Sequence, residues 1–204
     1  MKVILVRHGQ TEWNKRDIFR GRKDIPLDES GKRQALLTAK SLAQMDLSVK
    51  AIYTSPLQRA VETAKNIATI FGLDVIARNE LIEFDYGQWE GRSVDEVKKE
   101  FPQMYSYWLN NPAQLIIPGA ETLEQVRKRV NDGIKTILRE SQGDTVIVGH
   151  KLTNKIIIGC LMGWNQDHYW KIEQDLAAIN IIEVEGGNSV VQMLNHTTHL
   201  LHEK

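Results

Sequence analysis

Cysteine is nearly absent: Cys160 is the single one in 204 residues. That excludes an intramolecular disulfide framework and suits a reducing compartment. Cys160 lies in the apolar run 156–162, where a small core residue is expected and not a nucleophile. Long apolar stretches are missing as well. After Met1-Lys2 only four apolar residues precede Arg7, whereas a signal peptide needs an apolar region of about 7–15 and a membrane span about 20. No segment reaches either length, so a cytoplasmic protein without membrane contact is expected. Net charge is lacking too, because 26 Lys plus Arg balance 26 Asp plus Glu. There is no global basic surface to recruit nucleic acid or anionic lipid, and any anion site has to be a local concentration of positive charge. Repeats, low-complexity tracts and Pro/Gly/Ser linkers are also wanting, so residues 1–204 are expected to form one domain. No zinc-type Cys/His spacing, phosphate-binding Walker loop or dinucleotide glycine fingerprint occurs. No cofactor or metal is therefore expected.

What is present is the balance of an ordinary globular chain, 42% apolar and 25% charged, with a clear alternation of patterns. Val3-Ile4-Leu5-Val6, Ala51-Ile52-Tyr53 and Val146-Ile147-Val148 are apolar runs without a polar face, as strands covered on both sides require. Asp74 to Ala77 is a fourth candidate, and Ala178 to Val184 with Ser189 to Leu194, joined by Glu185-Gly186-Gly187-Asn188, reads as a hairpin. Between them lie helical periods. One runs over 31–45 after Asp28 or Ser30 as cap. Another runs from Pro56 to Phe71, with Ser55 as N-cap, Pro56 in the first position and Gln58 completing a capping box. A third follows Thr122 and Gln125, which repeat that signal, and 152–162 reads as a buried helix. The fold class expected is α/β, a three-layer α/β/α sandwich with a largely parallel central sheet.

Chemistry gathers where the apolar strands end. The first ends in Arg7-His8-Gly9, the second leads through Thr54-Ser55-Pro56 to Arg59, and the third ends in Gly149-His150-Lys151. Ligands of open α/β sheets bind beyond the carboxyl ends of the strands, and helix amino termini there favour phosphate. Two arginines and two histidines are thus delivered to one edge.

The segment Arg7-His8-Gly9-Gln10-Thr11-Glu12-Trp13-Asn14 resembles the signature of the histidine phosphatase superfamily, which includes the cofactor-dependent phosphoglycerate mutases. Four further blocks are similar to that family in the same order: Gly21 to Leu27 with Gly31 and Gln34-Ala35, Thr54 to Ala60 with Thr63-Ala64, Leu81 to Gly91, and Val148-Gly149-His150. The resemblance implies a metal-independent phosphatase in which His8 attacks phosphorus and forms a phosphohistidine. It implies that Arg7 and Arg59 grip the non-bridging oxygens, that His150 is a further donor to them and that Asn14 hydrogen-bonds the phosphoryl group. Gly21, in the second block, joins the expected substrate contacts. Glu83 is implied as the general acid and then base, with Glu80, Asp85 and Glu90 as acidic neighbours. Lys151 departs from the pattern, which usually has a small residue after the second histidine. It either meets an acidic group of the substrate or faces solvent.

His196, His199 and His202 recur at threes, but their segment resembles the family's tail and no metal cluster is expected. Tyr105, Tyr107 and Trp108 are expected as partial core or pocket wall, not as a stacking platform for nucleic acid. Only residues 92–118 separate Gly91 from Gly119-Ala120-Glu121-Thr122. Mutases of the family usually carry a longer stretch there, which favours a phosphatase over an intramolecular phosphotransferase. A non-catalytic binding module is expected to lack His8, Arg59, Glu83 or His150, and all four are present. The expected partner is a small phosphomonoester. Its identity, among α-ribazole phosphate, phosphoserine, phosphoglycerates and sugar phosphates, stays open, as does the oligomeric state, a homodimer included.

Overall fold

The computed structural model describes residues 1–201. Six strands form its sheet: β1 (Lys2–Arg7), β2 (Val49–Thr54), β3 (Val75–Ala77), β4 (Asp144–Gly149), β5 (Ile179–Glu185) and β6 (Asn188–His196), in the order β3-β2-β4-β1-β5-β6. The first four strands run parallel, and the hairpin β5-β6 adds to β1 in antiparallel fashion. The largely parallel sheet expected from the apolar runs is present.

Alternation along the strands divides two cores. Val3 and Leu5 of β1 pack on one face with Val126, Val130 and Ile137 of α6 (Leu123–Glu140) and Ile156 and Ile157 of α7 (Lys151–Leu161). Ile4 and Val6 pack on the other with Ala39 and Leu42 of α2 (Glu29–Ala43) and Ala60, Ala64 and Ile67 of α3 (Gln58–Phe71). Helices therefore cover both faces, which is the three-layer arrangement. The short helices α1 (Glu12–Lys15), α4 (Val94–Glu100) and α5 (Pro102–Asn110) lie in the long connections. No helix among the described residues is long and apolar enough to cross a membrane.

Two of the expected helix caps are present and one is not. Asp28 is the cap of α2, its carboxylate accepting from Gly31 N, and α6 carries the full Thr122–Gln125 capping box. The helix expected from Pro56 starts only at Gln58, and Ser55 is not its cap. The Ser55 hydroxyl accepts from Leu57 N at 3.3 Å inside the turn and lies 2.7 Å from His150 Nε2. A tertiary partner thus takes the group that local chemistry assigns to capping.

Candidate active site

Register places the two histidines together. In the parallel β1–β4 pair Arg7 lies opposite Gly149, and His8 N donates to Gly149 O at 3.1 Å. The next residue on each strand is a histidine, and the rings meet edge-on with centroids 5.2 Å apart. Both are fully in the interior.

The His8 Nδ1 lies 2.6 Å from the Gly9 carbonyl oxygen. A carbonyl only accepts, so Nδ1 carries the proton and Nε2 keeps its lone pair. Burial first, then Arg59 and Arg7, holds His8 well below the usual histidine range, so the ring stays neutral. His150 is lowered well below that range as well, by burial and Arg59. Its Nε2 is engaged by Ser55, while its Nδ1 has no protein partner among the described residues.

Three arginines are held by backbone carbonyls instead of carboxylates. Arg7 Nη1 donates to Gln174 O at 2.6 Å. Arg59 donates from Nη1 to Lys23 O and from Nη2 to Gly21 O, each at 2.8 Å. Arg20, which sequence reasoning passed over, donates from Nη1 to Trp13 O and Ile18 O. A carbonyl orients a guanidinium without neutralising it, so the charge remains available to a ligand. Burial lowers Arg7 and Arg59 to about 10 each. Gly21 sits at φ +48°, and a Cβ there would fall 1.9 Å from Glu90 Oε1. Glycine takes this left-handed φ without strain and leaves room for the Glu90 carboxylate as the loop turns its carbonyl onto Arg59.

Glu83 alone among the four acids of its block lines the cavity. It accepts from Phe84 N (2.9 Å), Thr153 N (3.2 Å) and Thr153 Oγ1 (3.0 Å) through Oε1, and from Leu152 N (3.3 Å) through Oε2. Two of these amides are free donors of the first turn of α7. The carboxyl is thereby fixed in the cavity that His8 also lines. Asp85 instead pairs with Arg22, and Glu90 accepts from Arg22 N.

His8, Arg7, Arg20, Arg59 and Glu83 line a cavity of about 310 Å³ that also takes in Tyr86, Tyr105, Trp108, Trp170, Lys151, Lys155 and Glu173, while His150 lies behind it against the His8 ring. Tyr105 and Trp108 are the expected wall. Asn14 is not brought to the cavity; its Oδ1 accepts from Thr11 N and Oγ1, closing a capping box at α1. Lys151 does line the cavity, but its Nζ is paired with Glu173 at 3.1 Å. Lys155 and Glu173 were not singled out in the sequence. The signal for Lys155 was available: it repeats the Lys151 position four residues on, beside the apolar run 156–162. At the tail, His196 and His199 stack and His199 meets Thr38, with no metal-type group of three ligands among the described residues. His202 lies outside those residues.

An α/β sheet whose carboxyl edge carries two neutral histidines, three backbone-held arginines and one carboxyl defines a phosphoryl-handling protein. The chain belongs to the histidine phosphatase superfamily, branch 1, whose model matches residues 3–197. Phosphoserine phosphatase 1 of Hydrogenobacter thermophilus is 35% identical over 98% of this chain and 94% of its own length. Among solved structures, Bacillus stearothermophilus YhfR superposes with a TM-score of 0.89 at 29% identity, covering 98% of both chains. The phosphoserine phosphatase of Entamoeba histolytica, solved with 3-phosphoglyceric acid, gives 0.86 at 27% identity over 98% of both chains.

Proposed function

We propose that the protein hydrolyses small phosphomonoesters in the cytoplasm through a phosphohistidine on His8, without a metal ion. The Nδ1 hydrogen bond to Gly9 O carries this reading, because it leaves Nε2 as the nucleophile. In the first step Nε2 bonds to phosphorus, the ester P–O bond breaks and Glu83 gives its proton to the leaving oxygen. In the second step water attacks phosphorus, the N–P bond breaks and Glu83 recovers a proton from the water. Arg7, Arg59 and Arg20 offset the negative charge that spreads over the phosphoryl oxygens in the transition state, and the free Nδ1 of His150 donates a hydrogen bond to them. The phosphatase names among the relatives support hydrolysis over transfer within the substrate.

Turnover quenched in base is expected to trap phosphate on His8, since phosphoramidates survive base. His8→Ala is expected to abolish the label and lower turnover by about 10⁴-fold or more, and excess chelator is expected to leave the wild-type rate unchanged. Label in the variant, or activity that needs added magnesium or zinc, refutes the mechanism. Isomerised product without released phosphate assigns a mutase instead.

A further inference from the structure

Lys155 lines the cavity with only 5% of its surface exposed. His150 caps α7, and Lys155 follows five residues later, roughly 7 Å along the helix axis. Its Nζ makes no hydrogen bond among the described residues, and its ion pair there is with Glu173 Oε2 at 4.0 Å. That same oxygen is held at 3.1 Å by Lys151. The Glu173 and Lys151 side chains are 63% and 47% exposed, that of Lys155 only 7%. The acid therefore serves the rim lysine more than the buried one.

A buried ammonium without a close acceptor is unfavourable and calls for a counter-charge. Burial lowers Lys155 to about 8, opposed by Glu173 and reinforced by Lys151 and Arg7. A lysine serving only as packing would carry its ammonium out to water, whereas this side chain stays buried and lines the cavity that holds His8.

We propose that Lys155 binds a carboxylate on the leaving group, so that the substrates are small phosphomonoesters bearing a carboxylate a few atoms from the ester oxygen. The assignment rests on the phosphatase reading above. One negative charge fits, because Lys151, Lys155 and Glu173 together sum to one positive charge. A second phosphate would bring more charge than this trio neutralises and would face the Glu173 carboxylate. Tyr105, Trp108 and Trp170 cover the apolar part of such a molecule.

O-phosphoserine and O-phosphoethanolamine differ by one carboxylate and form the test pair. Wild-type enzyme is expected to favour O-phosphoserine in kcat/KM. Lys155→Met is expected to reduce that ratio roughly 10- to 100-fold. Lys155→Arg should keep most of it, and Lys151→Met should change it only a few-fold. Both substrates are measured on the same preparation, so loss of folded protein cancels from the ratio. An unchanged ratio in Lys155→Met, with nitrophenyl phosphate still hydrolysed by the wild type, overturns the carboxylate assignment and leaves the phosphatase reading standing. Should nitrophenyl phosphate not be hydrolysed, the phosphatase reading fails. Calorimetric binding of the same pair to wild type and Lys155→Met then decides the lysine's role, and equal affinities in the wild type overturn it.

Discussion

The two ends of the cavity are built by different means. At the inner end, backbone carbonyls fix the nucleophile and the arginines: Gly9 O sets the His8 tautomer, and Gly21, Lys23 and Gln174 carbonyls aim Arg59 and Arg7. At the outer end the charged groups are held by one another, with Glu173 shared between Lys151 and Lys155. The aromatic wall there comes from α5 and the 3-10 segment Gln166–Lys171. Backbone-held groups are insensitive to neighbouring substitution and suit a reaction common to many substrates. Side-chain-held groups can be exchanged one at a time, which is where one substrate is told from another.

Glu83→Gln gives the largest effect that separates the ends by reaction step. Single-turnover phosphorylation from an alkyl phosphate is expected to slow by about 10²–10⁴-fold. Nitrophenyl phosphate, whose leaving group needs no proton, should be affected far less. A uniform loss would make Glu83 a positioning residue only and return the acid's role to Asp85 or Glu80.

Stability against pH comes next. His8 and His150 have folded values well below 6.5, so below that pH the unfolded chain binds protons that the folded chain refuses. Stability is therefore complete above about pH 6.5 and falls as the pH drops toward the folded values. Each such histidine contributes up to about 1.4 kcal/mol per pH unit, or roughly 2–4 °C in Tm for each kcal/mol at this chain length. A Tm that stays flat between pH 6.5 and 5 would show that these rings are protonated in the folded protein.

The smallest effect has the opposite sign. Lys155 is lowered from 10.5 to about 8 by burial, so its charge opposes folding at neutral pH. Lys155→Met is expected to raise the unfolding free energy by an amount on the order of 1–3 kcal/mol, read as a higher Tm. A lower Tm would make the lysine a structural member of the outer end.

The inner end was legible residue by residue, since an apolar run ending in Arg7-His8 or Gly149-His150 states both the strand and what it delivers. The capping box at Thr122 was equally plain. Ser55 was misplaced because capping chemistry is local, while its hydroxyl is claimed by a histidine 95 residues away. Asn14 has a local role that the motif does not mark, since its oxygen closes the capping box with Thr11. Arg20 and Glu173 carry no mark in the chain, since an arginine or glutamate in a connection is usually solvated.

The sequence by itself determined the strands, the order of the layers and the groups at the carboxyl edge, because hydrophobic period and strand ends are properties of neighbours along the chain. Tertiary structure alone decided which charges are neutralised. That Glu173 serves Lys151 at 3.1 Å and leaves Lys155 at 4.0 Å depends on how a segment near residue 173 docks on α7. Pairing and burial of charge are set by distances across the fold, which no spacing along the chain records.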